Sequence, residues 1–412
     1  MPGSSDKSSA ITNLSARLRT LAPAGNFVSP RRVFSLIGSW RKRNPSYSEL
    51  TPLDALRGTL ASRLSAKQII LTGSGTTALY HLLRTLREQQ QCQTVAMAEF
   101  TCPEIAAAAV RAGLRILVAP VNAQTMNGRW AALSEAPNAI ILSNLYGLAE
   151  ELPSVAGAII IDDACQSVMT RTADGIIGNR GGHFGILSFG RGKAICGIGG
   201  GAIIDPQGAL AGLVETKPAP NIVESCLGML RHCASAVAEY PYLYSIPASL
   251  PFLGLGETHY NPNFPIRELG RLPAFVALAQ LSYLSTLLSV FRTNSERWQR
   301  LLAGLPIAQP FVTHSINSGT IPTRYPVILP SVTARRQALK DLSRFGVSQS
   351  YAGTLFDFAE LRPSLSSAGL TEASDDGRKL ANQLITLPVH RYVTDYDAEM
   401  VAQRLKEIVV KG

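Results

Sequence analysis

The sequence predicts an α/β protein, with a large domain on a mainly parallel seven-stranded sheet covered by helices and a smaller C-terminal α/β domain. Three observations predict it. Short runs of Ile, Val and Leu recur near Ile69, Val95, Ile116, Ile140, Ile160, Leu187 and Ile203. They are continuous rather than alternating, which is the pattern of strands buried on both faces of a parallel sheet. Helical segments near Leu79 and Ala108 separate them, as crossover connections require. The chain has 412 residues, 46% of them hydrophobic and 17% charged, enough for two well-buried domains.

In chain order, residues 1–50 read as an N-terminal arm whose first residues are polar and frayed. Thr51-Pro52-Leu53-Asp54 starts a helix, with a hydroxyl cap and proline at the first helical position. The large domain spans 51–255 and the connector helix and small domain span 256–412. The segment Arg231–Phe264, rich in aromatics and proline, reads as an irregular insertion that packs at an interface or forms an apolar wall of a substrate site. A single long apolar helix is expected from Leu272 to Phe291. Thr323–Leu329 then reads as a strand, Ala334–Phe345 as a helix and Ala398–Val410 as the closing helix.

Three segments carry chemistry. Ile186-Leu187-Ser188-Phe189-Gly190-Arg191-Gly192-Lys193 is a strand end followed by a hydroxyl, glycines and one amine. Ile159-Ile160-Ile161-Asp162-Asp163-Ala164-Cys165-Gln166 places acids at the end of another buried strand. A lysine after one strand and an acid after another suit pyridoxal 5'-phosphate (PLP). The amine condenses with its aldehyde, and the carboxylate keeps the ring nitrogen protonated. Strand Gln68–Thr72, turn Gly73-Ser74-Gly75 and a helix from Thr76 supply a helix N-terminus of the kind that receives phosphate. All three lie beyond strand C-termini, where ligands of such sheets bind.

Ser74–Leu79, Asp162–Gln166 and Ser188–Lys193 together resemble the signatures of the DegT/StrS-type sugar aminotransferases, PLP enzymes of fold type I. The resemblance continues through Asn144-Leu145-Tyr146-Gly147, Gly199-Gly200-Gly201 and Leu387-Pro388-Val389-His390. It implies that Lys193 holds the cofactor and shuttles protons, and that Asp163 pairs with the ring nitrogen. It further implies that Gln166 lies against the ring, and that Ser188, Gly75, Thr76 and Thr77 form the phosphate cup. Asp162 is read as a strand-end carboxylate that caps a neighbouring helix. Cys102 stands where the family has an aromatic stacked on the ring; Phe100 approaches it only with a shifted register. His183 replaces a family aspartate, and Asn261, Asn263 and Arg271 are the nearest matches to a loop that reaches the partner's site. Tyr146 and His183 are further substrate-site candidates.

The function expected is transfer of an amino group from glutamate or glutamine to a keto group on a nucleotide-linked sugar, in a homodimer with shared sites. A PLP enzyme of the same fold acting on an apolar or carrier-bound carbonyl is the alternative. A non-catalytic PLP-binding paralogue is a third reading, and the retained Lys193 argues against it. The net charge of +10 suits an anionic substrate or an acidic carrier protein. No basic stripe interleaved with aromatics points to nucleic acid, and no membrane attachment is expected. The six cysteines are scattered without metal spacing, so no metal is expected. Three of them lie in the cofactor motifs, which fits a reducing cytoplasm.

Overall fold

The structure, a computed structural model, describes residues 19–25, 28–43, 51–167, 170–210, 221–249, 260–315 and 320–411. The polar N-terminal residues and part of the Arg231–Phe264 insertion lie outside them. Among the described residues of the first half nine strands form: β1 Gln68–Thr72, β2 Thr94–Ala98, β3 Arg115–Ala119, β4 Ala139–Leu142, β5 Ile159–Asp163, β6 Arg171–Thr172, β7 Gly175–Ile176, β8 Phe184–Ser188 and β9 Gly201–Asp205. Seven of them make one sheet in the order β1-β9-β8-β5-β4-β2-β3, while β6 and β7 pair in a small hairpin. The pairings β3/β2, β2/β4, β4/β5 and β5/β8 are parallel. Strand β9 runs antiparallel to both β8 and β1.

Both sheet faces are apolar. One carries Ile116, Ile141, Ile161, Ile186 and Ile203 under Leu82, Leu83 and Leu86 of the helix Gly75–Gln90. The other carries Leu71, Leu187 and Ile204 against Leu56 and Leu60 of the helix Pro52–Leu64. That helix begins as expected. The Thr51 hydroxyl accepts the Asp54 N–H at 3.2 Å, and the Asp54 carboxylate accepts the Thr51 N–H, with Pro52 next. Gly185 in β8 permits a close crossing. A Cβ there would lie 1.9 Å from the carbonyl oxygen of Gly178, so no side chain fits.

The small domain pairs β10 (Tyr325–Ile328) with β11 (Leu384–Leu387) in antiparallel register. Trp298, Tyr325, Val327, Ile385, Leu387 and Leu405 share its core. The helices Val332–Leu342, Asp375–Gln383 and Asp395–Lys411 complete it.

Two expectations are corrected. The apolar stretch from Leu272 to Phe291 is two helices, Arg271–Leu281 and Leu284–Leu301, bent by 55°. The break falls at Ser282, whose hydroxyl donates to the Ala279 carbonyl at 2.7 Å and competes with the helical ladder. The first of these helices is buried at Ala274, Phe275, Val276 and Ala277. Among the described residues no single helix is long and apolar enough to cross a membrane. The segment Arg231–Phe264 is not irregular throughout either: the helix Ile222–Ala238 runs into it, capped by the Asn221 side chain, and Ser245–Ala248 forms another turn. The helix Ile222–Ala238 leaves Val223, Leu227 and Leu230 exposed.

Candidate active site

The C-terminal ends of β1, β5 and β8 converge on one cavity. Gly75, Thr76, Cys102, Glu104, Ser143, Asp163, Cys165, Gln166, Ser188 and Lys193 all line it. Residues separated by more than a hundred positions thus meet because β9 inserts between β1 and β8. Gly75 is required by contact: a Cβ on it would sit 2.8 Å from the Ser188 Cβ and 3.2 Å from the Cys165 sulfur. The Ser188 hydroxyl accepts the Gly190 N–H at 3.3 Å.

Asp163 and Asp162 point to different tasks. Asp163 borders the cavity, and its Oδ1 accepts the Cys165 N–H at 2.8 Å. Burial raises its pKa; the Cys165 hydrogen bonds and the Lys193 charge pull it back. Asp162 faces away. Its Oδ1 takes Arg180 Nη2 at 2.6 Å and Asn144 Nδ2 at 2.8 Å; its Oδ2 takes Arg180 Nε at 3.0 Å and the Gly178 N–H at 2.7 Å. Asp162 is therefore no helix cap but half of a buried ion pair, with side chains 0% and 1% exposed.

Burial disfavours the Lys193 ammonium, yet the acidic neighbours Cys165, Cys102, Asp163 and Glu104 outweigh it, so its pKa lies above the ordinary lysine value. The Gln166 Oε1 accepts the Tyr146 N–H at 3.0 Å, and its Nε2 donates to the Tyr351 hydroxyl at 2.9 Å. Tyr146 itself is in the left-handed region, at φ 57°, and its hydroxyl bonds to that of Ser350. Strand ends of the large domain and a loop of the small domain are thereby joined.

Several candidates fall elsewhere. Thr77 does not line the cavity. Its N–H goes to the Ser74 hydroxyl at 3.0 Å and its own hydroxyl to the Pro265 carbonyl at 3.2 Å, so it locks the turn instead of facing a ligand. Thr76 is at the cavity, with its hydroxyl given to Glu104 at 3.0 Å. Cys102 lines the cavity, whereas Phe100 is buried and packs edge-on to Tyr351, with centroids 5.7 Å apart. Burial pushes the Cys102 thiol up to about 12. His183 closes the turn Arg180–Gly182, outside the cavity, and burial lowers its pKa. Asn261 and Asn263 form an exposed turn in which the Asn261 side chain accepts the Asn263 N–H at 2.9 Å, and Arg271 is exposed at a helix start. Within one chain these three do not reach Lys193. Glu104, Ser143, Arg180 and Tyr351 were not singled out from the sequence. Only Glu104 had a local signal, an acid in the first turn of the helix Pro103–Arg111.

The residues fit PLP. Asp163 can hold a protonated ring nitrogen, Lys193 an aldehyde carbon, and Ser188 with the first turn of the helix Gly75–Gln90 a phosphate. Gly75 leaves the room that a phosphate needs beside Ser188.

Glu150 braces the strand ends below. Its Oε1 accepts the Ser143 N–H at 2.7 Å and its Oε2 the Gly128 N–H at 3.0 Å. Burial outweighs these bonds and raises its pKa from 4.5 to about 7. The folded chain therefore holds a proton that the unfolded chain releases as pH rises between those values. Stability should fall across that window, by at most ~3 kcal/mol from this group. Denaturant titrations from acid to neutral pH should show that part of the slope vanish in Glu150→Gln; equal slopes would reject the assignment.

The sequence profile of the DegT/DnrJ/EryC1/StrS aminotransferase family matches residues 51–406. No curated protein sequence matches the chain significantly. Among solved structures, a DegT DnrJ EryC1 StrS aminotransferase from Brucella abortus superposes with a TM-score of 0.66 at 19% identity, over 92% of this chain and 95% of that one. Helicobacter pylori PseC, an aminotransferase of pseudoaminic acid biosynthesis, gives a TM-score of 0.70 at 14% identity over 96% and 100%. The E. coli GDP-4-keto-6-deoxy-D-mannose-3-dehydratase with bound hydrated PLP gives 0.67 at 14% identity over 94% and 100%. At these identities the superpositions speak to the fold.

Proposed function

Since the chain belongs to the DegT/DnrJ/EryC1/StrS aminotransferase family, whose cofactor is PLP, we propose that it moves an amino group from glutamate or glutamine to a keto group on a nucleotide-linked sugar. The observation that carries the reading is the meeting of Lys193, Asp163 and Ser188 in one cavity. The cofactor, when bound, supplies an electron sink and carries the amino group between two substrates. Asp163 keeps a positive charge on the ring nitrogen. Ser188 and the helix N-terminus fix the phosphate end. Gln166, held by Tyr146 and Tyr351, sets one wall. With the cofactor bound, the Nζ of Lys193 would move a proton between the α carbon of the donor and the cofactor carbon, and would make the opposite transfer for the acceptor.

The sugar assignment is supported by the family and by the net charge of +10, which suits a diphosphate. The alternative acceptor is an apolar or carrier-bound carbonyl. Cys102 favours it, because a thiol leaves more room over the ring face than an aromatic side chain. A homodimer in the cytoplasm is part of the proposal. The helix Arg271–Leu281 is used up inside the protomer, but the exposed stripe Val223, Leu227 and Leu230 on the helix Ile222–Ala238 supports a second copy.

The test has two stages. Glutamate or glutamine should bleach the visible absorbance of the lysine-bound cofactor and release the 2-oxo acid. Candidate acceptors, keto-sugar nucleotides against apolar ketones and aldehydes, should then restore it. If no amino donor bleaches a fully loaded protein, the aminotransferase reading fails. Restoration by apolar carbonyls alone would favour the alternative.

A further inference from the structure

Glu104 is a carboxylate set against the place where the site is built to take another anion. It stands in the first turn of the helix Pro103–Arg111, exposed, and lines the cavity that holds Lys193, Asp163 and Ser188. Its Oε2 accepts the hydroxyl of Thr76 at 3.0 Å. Thr76 is the second residue of the helix Gly75–Gln90, whose positive dipole end meets the cavity through Gly75 and Thr76. Thr77 is spent on the turn, where the Ser74 hydroxyl takes its N–H. Gly75, Thr76 and Ser188 are therefore what this side of the cavity offers a phosphate.

The Thr76 hydroxyl has one proton to donate. A proton given to Glu104 is not available to a phosphate oxygen. Two groups within hydrogen-bond reach of one hydroxyl also stand about 5 Å apart or closer. At that range like charges repel unless water screens them fully. Lys193 answers both Asp163 and Glu104, each of which raises its pKa. The cofactor brings a ring cation to Asp163, but to Glu104 it brings a phosphate, a charge of the same sign. Glu104 and the phosphate end are thus rivals for one donor and for one positive helix end.

We propose that Glu104 weakens the hold on the cofactor's phosphate, so that the aminated form of the cofactor leaves the site between the two half-reactions. The lysine-bound form is kept by its covalent bond. Pyridoxamine phosphate has no bond to Lys193 and is held by its ring and phosphate alone, so a weakened phosphate end acts mainly on it. The inference rests on the PLP reading of the site and deepens it. The chain treats the cofactor as a dissociating partner, and each departure is made good by PLP or pyridoxamine phosphate from solution.

Glu104→Gln removes the charge at constant size, and Glu104→Ala removes the acceptor as well. Fluorescence titration of the full chain with pyridoxamine phosphate should show the dissociation constant fall about tenfold in Glu104→Gln, the scale of one like-charge contact near a protein surface. Glu104→Ala should gain at least as much, and pyridoxamine phosphate should wash out of both variants more slowly than out of the wild type. Pyridoxamine, which lacks the phosphate, should bind all three proteins alike. Inorganic phosphate should raise the melting temperature of Glu104→Gln more than that of the wild type. Unchanged or weaker pyridoxamine phosphate binding in both variants overturns the proposal. So does an equal gain with pyridoxamine, which would put Glu104 at the ring instead of the phosphate. Should both variants fail to fold, Glu104→Asp, one methylene shorter, decides by the same titration: a gain of a few-fold supports the proposal and no gain overturns it. If the wild type takes up neither PLP nor pyridoxamine phosphate, the cofactor reading has failed, and the melting shifts with inorganic phosphate alone decide Glu104.

Discussion

Lys193→Ala is expected to lose turnover by ~10³-fold or more while keeping its fold. Two contributions disappear together. On the proposed mechanism the variant lacks both the amine that would hold the cofactor and the base that would move the proton, a role worth about 10²–10⁴ in rate by itself. The fold should survive because Lys193 lies in the turn after β8 and not in the core clusters. The loaded variant should lack the visible absorbance of the lysine-bound cofactor, and borohydride should leave no cofactor-labelled peptide. In the wild type the label should map to the peptide carrying Lys193. Label on another lysine, or near-normal turnover in Lys193→Ala, would remove this residue from the mechanism.

Adjacent aspartates should separate chemistry from stability. Asp163→Asn should keep the melting temperature within a few degrees and still hold PLP, yet lose most turnover, because an amide cannot keep the ring nitrogen protonated. Asp162→Asn should do the reverse. It leaves the Arg180 guanidinium buried against a neutral amide, and breaking a buried pair from one side costs about 3–5 kcal/mol. Arg180→Ala should cost a similar amount by stranding Asp162. Denaturant midpoints and single-turnover rates on these three variants and the wild type make the comparison. If Asp162→Asn were stable and inactive, and Asp163→Asn the opposite, the roles would have to be exchanged.

The sheet was legible in the sequence because each strand is a continuous apolar run. Seven of these, from Ile69 to Ile203, became the seven strands of the sheet. The positions of Lys193, Asp163, Ser188 and Gly75 followed, since each ends or follows such a run. What the sequence hid depends on distance or on small local competition. Arg180 lies eighteen residues from its partner Asp162 in an unremarkable glycine-rich turn. Tyr351 meets Gln166 at the site only through the packing of the small domain. The break at Ser282 arises from one hydroxyl against one carbonyl, within a stretch whose apolar content alone reads as continuous. Thr77 looked like a phosphate ligand because it follows the glycine turn, but Ser74 had already taken its N–H as a helix cap.

The strand order also sets a schedule for the growing chain. Strand β1 has one neighbour in the sheet, β9, which is paired through Asp205. On a ribosome, the glycine turn after β1 is made early but has nothing to dock against until β9 has emerged. At ordinary synthesis rates of 5–20 residues per second that delay is on the order of 10 s. Throughout it, β1 presents an unpaired apolar edge, and the turn at Gly75 lacks its contact with Ser188. A nascent chain truncated just before β9 should therefore be a target for chaperones and unable to retain the cofactor, whereas one extended past the small domain can do so. The last strand into the sheet is what turns a translated polypeptide into a cofactor-binding one.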